Sequence, residues 1–238
     1  MNLRIITTTI FYLTLASATS LFSQVAENLT MKSNQMGKFK TKGFNEAEKS
    51  IILNGPRDSK LHVYQITDEK ELAILENQSS DMEYTDPLLG ILEQRMLLTV
   101  QAPEHPGVGI AAPQVGINRN LIWVQRFDKP GEPFEFYINP RIIWQSHLTR
   151  SGVEGCLSIP DRKEEIQRSY AIRLQYQNKG GEIIEENIEG FTAVIFQHEV
   201  DHLSGILYPD RLEEQIAIEN VELNEKIPFS IRKNTIVP

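Results

Sequence analysis

Two histidines and a glutamate stand close together in the segment FQHEVDHLSG, residues 196–205. His198 and His202 are four residues apart, so on an α-helix both imidazoles lie on one face with Glu199 beside them. The pattern H-E-x-x-H uses this geometry to bind a metal ion through two imidazole nitrogens and to activate water with the glutamate carboxylate. The spacing therefore predicts a metal site with an adjacent general base.

Apolar residues continue the same helical face toward the N-terminus. The positions that share this face follow an i, i+3, i+4, i+7, i+11 series, and they are Phe191, Val194, Ile195, His198 and His202. Gly205 is expected to end the helix. Imidazoles on a buried face are costly without partners, and a metal ion would satisfy them. Two core histidines bonded to backbone or carboxylate groups are the alternative.

A catalytic metal centre of this kind has three protein ligands and keeps its fourth position for water. Cys156, the single cysteine, lies in the segment VEGCLSIP at residues 153–160. Gly155 permits close approach of the backbone, and the Leu157 N–H could face a ligand. Cys156 is therefore a candidate third ligand, and the alternative is a small inert residue of the core.

A third segment, GVGIAAPQVG at residues 107–116, surrounds one amide side chain, Gln114, with small residues. Small residues let the backbone pass close to a substrate or to a neighbouring strand. The segment follows no predicted strand and opens no predicted helix, so it does not fit a phosphate-binding loop. A substrate-contacting loop and an ordinary packing turn are both compatible with it.

The sequence before and between these motifs predicts the elements that must position them. Asp86 and Pro87 form an N-cap and first-turn pair, and apolar residues then recur at helical spacing to about Val100. Segments rich in β-branched and aromatic side chains predict three strands, at residues 121–126, 134–138 and 141–145.

A β-hairpin is predicted directly before the histidine helix. Side chains alternate strictly from Tyr170 to Tyr176, an NKGG turn follows at residues 178–181, and the segment EIIEENI returns. This order predicts an α+β domain from roughly residue 60 to residue 215, with the histidine helix packed on a mixed sheet. The last 25 residues receive no assignment.

The composition is that of a globular chain. With 238 residues, 40% of them hydrophobic, the protein can bury a sizeable core, most simply as one domain with additional N-terminal sequence. The net charge of −8 argues against broad binding to a phosphate backbone, which requires clustered Lys and Arg. We therefore expect no nucleic acid partner.

The N-terminal segment has the composition of a targeting sequence. Its first 24 residues contain no acidic residue and one basic residue, Arg4, followed by an apolar run at 10–16 and an A-S-A triplet at 16–18. These features predict a secretory signal peptide at residues 1–24, and hence a periplasmic or extracellular protein. An organellar transit peptide and an uncleaved membrane anchor are the alternatives.

The next segment, residues 25–57, is polar and shows no sustained periodicity. It is expected to be a flexible lead-in with little core, followed by a catalytic domain at residues 58–238. No stretch after the N-terminal segment is long and apolar enough to span a membrane. The oligomeric state is not predicted by any of these patterns.

The segments GVGIAAPQ, EGCLS and QHEVDHL, in this order, resemble the three signature motifs of the peptide deformylases. The resemblance covers residues 86–212, including Arg168, which follows EGCLS at the spacing of the family. It implies mixed and antiparallel sheets packed around a central metal-binding helix. It also implies a metal-dependent hydrolase that removes the formyl group from N-formylmethionyl peptides.

The same resemblance implies roles for the motif residues. Cys156, His198 and His202 would bind one divalent metal ion, typically iron(II) in this family, with zinc, nickel or cobalt able to occupy the site. Glu199 would act as the general base and acid. Because ligating histidines usually have supporting partners, Asp201 is expected to orient the metal helix by pairing with Arg168.

The family further assigns residues to the substrate. Gln114 and the Leu157 backbone N–H would stabilise the oxyanion, and the Gly109 backbone would hold the peptide in an extended conformation. The positions that match the methionine pocket of the family are Val108, Glu154, Phe191, Val194 and Ile195.

Three features depart from the family. The apparent export signal is unexpected, because N-formylmethionine is formed where the ribosome works. The segment QAPEHP at residues 101–106 resembles a short insertion at the rim of the site, and Thr192 stands where the family usually has an aliphatic residue. These departures affect the substrate assignment more than the chemistry.

Two other functions are compatible with parts of the pattern. A zinc endopeptidase would need a third ligand past His202, for which Glu222 is the candidate. An exported protein that binds peptide or metal without turnover would need neither Glu199 nor Gln114, so the presence of both residues argues against it.

Overall fold

The structure, a computed structural model, describes residues 41–216, 220–224 and 229–232. Five helices lie in this part of the chain: α1 (Glu46–Leu53), α2 (Glu69–Leu75), α3 (Leu89–Val100), α4 (Gly190–Leu203) and α5 (Tyr208–Ile216). A single 3₁₀ turn spans Ala112–Val115. The strands are β1 (Gly109–Ala111), β2 (Leu121–Gln125), β3 (Phe134–Gln145), β4 (Leu148–Cys156), β5 (Ile159–Ser169), β6 (Ala171–Gln177), β7 (Ile183–Glu189), β8 (Asn220–Asn224) and β9 (Phe229–Arg232).

These strands form two antiparallel sheets. The larger sheet has the order β1-β2-β3-β6-β7, and the smaller has the order β5-β4-β9-β8. The β6–β7 pair is the hairpin that the sequence predicts, with Ala171 opposite Glu189 and Gln177 opposite Ile183. The fold is therefore α+β, as expected from the order of the elements.

Helices cover both faces of the larger sheet. Side chains alternate along β2, so Leu121 and Trp123 join one hydrophobic cluster while Ile122 and Val124 join the other. The first cluster includes apolar residues of α3, and the second includes those of α4. Burial on both faces explains why β2 reads as a continuous apolar run.

Helix α4 carries the two histidines and lies against the larger sheet through Ala193, Ile195 and Phe196. It ends as predicted, with Gly205 in the left-handed region at φ 71°. A Cβ at Gly205 would lie 2.5 Å from the backbone carbonyl carbon of Glu76. The close approach of these two backbones therefore requires glycine here.

The cysteine of the predicted site lies in the smaller sheet. Cys156 is the last residue of β4, and Leu157 and Ser158 form the turn to β5. Strand β9 pairs with the start of β4, and Leu207 and Tyr208 at the start of α5 pack on β5. The C-terminal elements, which the sequence left unassigned, thus support the strand that ends in the cysteine.

One predicted break in a strand is a bulge. The sequence predicts two strands on either side of Asn139-Pro140, whereas β3 continues through them with a register shift between Ile138 and Arg141. Asn139 has a positive φ of 53°, and its side chain bonds to Met82 N at 2.7 Å and to Met82 O at 2.9 Å. The sequence predicts a break at Asn139-Pro140, but hydrogen bonds to the distant Met82 stabilise these residues as a bulge within β3.

The expectation of little core in residues 25–57 is wrong for the described part of that segment. Helix α1 has a capping box between Asn45 and Glu48, and the side chain of Ile52 is buried in the first cluster. Glu48 also forms a buried ion pair with Arg119 at 2.8 Å. The helix has only eight residues, which is too short for a clear periodicity against polar flanks.

The predicted signal peptide, residues 1–24, and residues 25–40 lie outside the described residues. None of the described helices combines the length and the apolar composition that crossing a bilayer requires.

Candidate active site

Three side chains from two elements converge on one point. The ligand atoms of Cys156, His198 and His202 all lie within 4.8 Å of one another. Cys156 Sγ is 3.3 Å from His202 Nε2, and the two imidazole rings are 5.1 Å apart at their centroids. The cysteine comes from the end of β4 and the histidines from successive turns of α4.

The charge state of the cluster favours a metal. Burial alone would raise the pKa of the Cys156 thiol, but the neighbouring His202 and His198 hold it well below its usual range. A thiolate and two imidazoles are ligands for a divalent transition metal. Among the described residues, Glu199 Oε2 and His202 Nδ1 are buried without a hydrogen-bond partner. These three donors, with the unpaired carboxylate oxygen of Glu199 beside them, fit a site for one metal ion.

A chain of ion pairs supports His198. Glu154 Oε2 lies 2.9 Å from His198 Nδ1, which leaves His198 Nε2 to face the cluster. Arg168 holds the Glu154 carboxylate with bonds of 2.7 and 2.9 Å, and it donates to Asp201 at 2.5 Å. Arg211 of α5 binds Asp201 from the other side at 2.5 and 3.0 Å.

The network keeps its carboxylates ionised despite burial. Burial would raise the pKa of Glu154, yet bonds from Arg168 and His198 lower it to about 2. Asp201 likewise has a pKa below its usual value, because Arg211 and Arg168 outweigh the effect of burial. An ionised Glu154 is the acceptor that orients the His198 ring.

Glu199 differs from these carboxylates. Its side chain is buried, and burial raises its pKa to about 7, although the charges of His198 and His202 partly oppose the shift. A carboxylate with a pKa near neutrality is suited to take and return a proton. Of the three carboxylates, Glu199 is therefore the one whose environment fits a general base.

Gln114 faces the cysteine from the 3₁₀ turn after β1. Its Oε1 accepts a hydrogen bond from Ala111 N at 2.9 Å, and its Nε2 lies 3.3 Å from Cys156 Sγ and 3.2 Å from Ser158 Oγ. These bonds orient the amide with its N–H groups toward the cluster. Leu157, in the adjacent turn, also lines the cavity beside the cluster.

A cavity of about 510 Å³ opens beside the cluster. Its wall includes all of the predicted substrate-contacting residues: Val108, Gly109, Glu154, Phe191, Val194 and Ile195. Glu199, His198 and Gln114 lie on the same wall. The carboxylate of Glu154 forms hydrogen bonds with His198 and Arg168. Glu154 therefore supports His198 on α4 as well as lining the cavity.

Part of the segment at 101–106 lies at the rim of the site, as expected. Glu104 and His105 line this cavity and also an adjoining one of about 890 Å³. Glu104 forms an ion pair with Lys60, which lies before α2. The segment at 101–106 is thereby tied to the segment that leads into α2.

Thr192 has a polar partner that explains its place in the first turn of α4. Arg126, and to a smaller extent the Thr192 hydroxyl, hold the pKa of Asp128 below its usual value through hydrogen bonds. Arg126 is itself 2% exposed and also bonds to Tyr137 and Glu186. The Thr192 hydroxyl is thus part of a polar cluster around the buried Arg126.

Some contributors to the site carried no recognised signal in the sequence. Ser158 stands inside a motif without an assigned role, and Arg211 lies in a helix that was not predicted. Glu222, the candidate ligand for an endopeptidase, is in β8, but its side chain lies outside the described part of the structure.

Comparison with known proteins gives a consistent result. A family model described as polypeptide deformylase matches residues 61–216. A peptide deformylase of Phenylobacterium zucineum is 39% identical over 157 residues, covering 64% of this chain and 91% of that protein. A peptide deformylase of Prochlorococcus marinus is 32% identical over 205 residues, covering 86% of this chain and 92% of that protein.

A solved structure agrees with these relatives. The Met-Ala-Ser-bound class I type b peptide deformylase of Acinetobacter baumannii is 33% identical, with a TM-score of 0.57 over 65% of this chain and 99% of that one. Sequence, fold and site geometry therefore lead to one conclusion. The chain belongs to the peptide deformylase family, and it is a metal-dependent enzyme that removes N-formyl groups from peptides.

Proposed function

We propose that the enzyme acts on N-formylmethionyl peptides, with Cys156, His198 and His202 as the ligands of its single metal ion and Glu199 as its general base. The convergence of one sulfur and two ring nitrogens beside a buried carboxylate carries this proposal. The adjoining cavity supplies room for an apolar side chain.

The metal ion would act as a Lewis acid and lower the pKa of a coordinated water. We propose iron(II), on the resemblance to the family, with zinc, nickel and cobalt as ions that the same ligands accommodate. One thiolate and two imidazoles do not discriminate between iron and zinc. The identity of the ion is therefore a question for elemental analysis of protein purified without oxygen.

Glu199 would move the proton. Its carboxylate lies beside the cluster with Oε2 unpaired among the described residues, so it can accept a proton from the attacking water. Once protonated, the same group would release that proton to the departing amine of the peptide. One side chain thus serves as base in the first step and as acid in the second.

Gln114 and the Leu157 N–H would stabilise the negative charge that develops on the formyl oxygen. The Gln114 amide is held in place by Ala111 N and Ser158 Oγ before substrate binds. Preorganised donors of this kind contribute about 100- to 1,000-fold to the rate of acyl transfer. The orientation of Gln114 toward Cys156 supports this role.

The methionine side chain of the substrate would enter the cavity beside α4. Phe191, Val194 and Ile195 supply an apolar wall, and Val108 and Gly109 bring an extended strand to its edge. The Gly109 backbone would pair with the peptide, in the manner of an added β-strand. The relative crystallised with Met-Ala-Ser supports a peptide of this type as the ligand.

Formate release from formyl-Met-Ala-Ser tests the proposal. The purified, iron-loaded protein should release formate under anaerobic conditions, and elemental analysis should give one metal ion per chain. A Cys156→Ala variant should lose the metal, whereas Glu222→Ala should keep it. A metal-loaded chain that releases no formate would contradict the proposal, and metal loss from Glu222→Ala alone would favour an endopeptidase centre.

We also propose that the protein is exported, on the composition of residues 1–24. Its substrates would then be formylated peptides that have left the ribosome. An oxidising exterior disfavours iron(II), so elemental analysis of the exported protein also tests the proposal of iron(II).

A further inference from the structure

The turn that carries the proposed oxyanion donor, the Leu157 N–H, forms hydrogen bonds with residues outside the β4–β5 hairpin. Leu157 and Ser158 connect β4 to β5, with Cys156 and Ile159 paired on either side. A two-residue turn leaves its backbone carbonyls without partners in the ladder, so their orientation depends on contacts from elsewhere. Residues 64–66, which precede α2, supply those contacts.

The backbone of this segment binds both proposed oxyanion elements. Tyr64 N donates to Gln114 O at 2.8 Å, and Ile66 N donates to Ser158 O at 3.0 Å. The same three residues thus contact the 3₁₀ turn on one side and the hairpin turn on the other. Relative motion of Gln114 and Leu157 would require these bonds to break.

The Gln65 side chain adds the contact closest to Leu157. Its Nε2 donates to Leu157 O at 3.0 Å and to Val63 O at 3.1 Å, so both amide hydrogens are used. Gln65 N is itself bonded to Glu71 Oε2 of α2 at 2.6 Å. Gln65, which donates to Leu157 O, is therefore anchored through its backbone to helix α2.

We infer that Gln65 is a positioning residue for the Leu157 N–H. Leu157 is linked to its neighbours by two soft backbone dihedrals, and fixing its carbonyl restricts the torsion on one side of its Cα. The bonds of Ser158 N to Cys156 Sγ at 3.4 Å and of Ile66 N to Ser158 O restrict the rest of the turn. The inference rests on the proposed role of Leu157 in the deformylase reaction.

Gln65 also lies on the wall of the adjoining cavity of about 890 Å³. A side chain there could instead contact the part of the peptide that follows the methionine. The two roles differ kinetically, because loss of a substrate contact raises KM, whereas loss of a contact made only in the transition state lowers kcat. Substrate length separates them further, since a contact with the part of the peptide after the methionine should matter more for a longer peptide.

The experiment compares metal-loaded Gln65→Ala and Gln65→Glu with the unaltered enzyme on formyl-Met-Ala and formyl-Met-Ala-Ser. Gln65→Glu keeps the length of the side chain but removes the donor. Gln175→Ala is the matched control, because its amide bonds to Glu185 on the strand surface, outside the site. We expect kcat to fall about tenfold in both Gln65 variants for both peptides, with KM and metal content within about twofold.

A second measurement does not depend on activity. In the zinc-loaded protein, ¹⁵N relaxation should show lower order parameters for the Leu157 and Ser158 amides in Gln65→Ala. The turn at 178–181 between β6 and β7 should be unchanged. If the unaltered enzyme releases no formate, the proposed function fails while this prediction can still hold.

Three results would overturn the inference. One is a kcat within twofold of the unaltered enzyme in both Gln65 variants. Another is a loss confined to the KM of the longer peptide, which would make Gln65 a substrate contact. The third is a kcat loss with unchanged order parameters at Leu157 and Ser158, which would mean that the turn does not depend on Gln65.

Discussion

Gly109 lies directly against the carboxyl group of Glu199. A Cβ added at Gly109 would stand 2.8 Å from Glu199 Cδ and 2.9 Å from Glu199 Cγ, closer than carbon atoms approach in proteins. The strand that would pair with the substrate therefore lies in direct contact with the side chain of the proposed base. Glycine at this position brings the peptide backbone within reach of Glu199.

Gly109→Ala should displace the Glu199 side chain and lower kcat/KM by about 100-fold, because misplacement of a catalytic group by roughly 1 Å has effects of that size. Metal content should not change, since no ligand is touched. Gly152→Ala is the matched control, because a Cβ there has no neighbour within 4 Å. Equal kcat/KM for the two variants would show that the position of Glu199 does not depend on Gly109.

Glu199→Gln should keep the metal and lose activity. The amide has nearly the shape of the carboxylate but cannot accept the proton, and a general base typically contributes 10²- to 10⁴-fold. Formate release and elemental analysis on the same preparation measure both quantities. Retained turnover with bound metal would remove Glu199 from the role of base, and an unchanged biological effect without turnover would favour a binding protein.

The pH profile should report the ionisation of Glu199. A base is active only when deprotonated, so kcat/KM rises as the pH passes its pKa. Burial raises that pKa from 4.5 to about 7, and the charge of a bound cation would lower it again. The acid limb of kcat/KM should therefore fall between pH 4.5 and about 7. Metal content at each pH is the control, and a limb below 4.5 with the metal retained would contradict the assignment.

Glu154→Gln should weaken metal binding. Loss of the charge weakens the contact to His198 Nδ1 and leaves Arg168 with one fewer partner. Changes to residues that support a ligand typically lower metal affinity by about 10- to 100-fold. Competition with a chelator measures this directly.

Glu164→Gln is the matched control for Glu154→Gln, because Glu164 lies opposite Glu154 on β5 but pairs with Arg162 instead of a proposed ligand. Surface pairs contribute little, so metal affinity should stay within about twofold of the unaltered value. A similar affinity in both variants would mean that Glu154 acts only in lining the cavity.

Export can be tested on the chain itself. In a bacterial host, a signal peptide would be removed and the mature N-terminus would begin within or just after residues 1–24. Arginine substitutions at Leu13 and Leu15 interrupt the apolar run and should keep the chain inside with its N-terminus intact. An intact N-terminus in the unaltered protein, found inside the cell, would contradict the proposal.

Local patterns in the sequence were sufficient to predict the cluster of histidines and its base. His198, Glu199 and His202 belong to one helix, and the geometry of a helix depends on spacing alone. Cys156 could be proposed as the third ligand because the chain has no other thiol. The hairpin and α3 were predicted for the same reason, since their periodicity is contained within a few turns or strands.

Contacts between distant parts of the chain were decided only by the tertiary structure. Gln65 bonds to Leu157 across 92 positions, and Glu154 contacts His198 across 44. The bonds of Glu48 in α1 to Arg119, and of Asn139 at the bulge in β3 to Met82, are of the same kind. The polar side chains that make these bonds follow no local period, so their roles depend on which surfaces the folded sheets and helices bring together. Spacing along the chain thus predicted which groups would bind the metal, whereas packing determined which groups hold them in position.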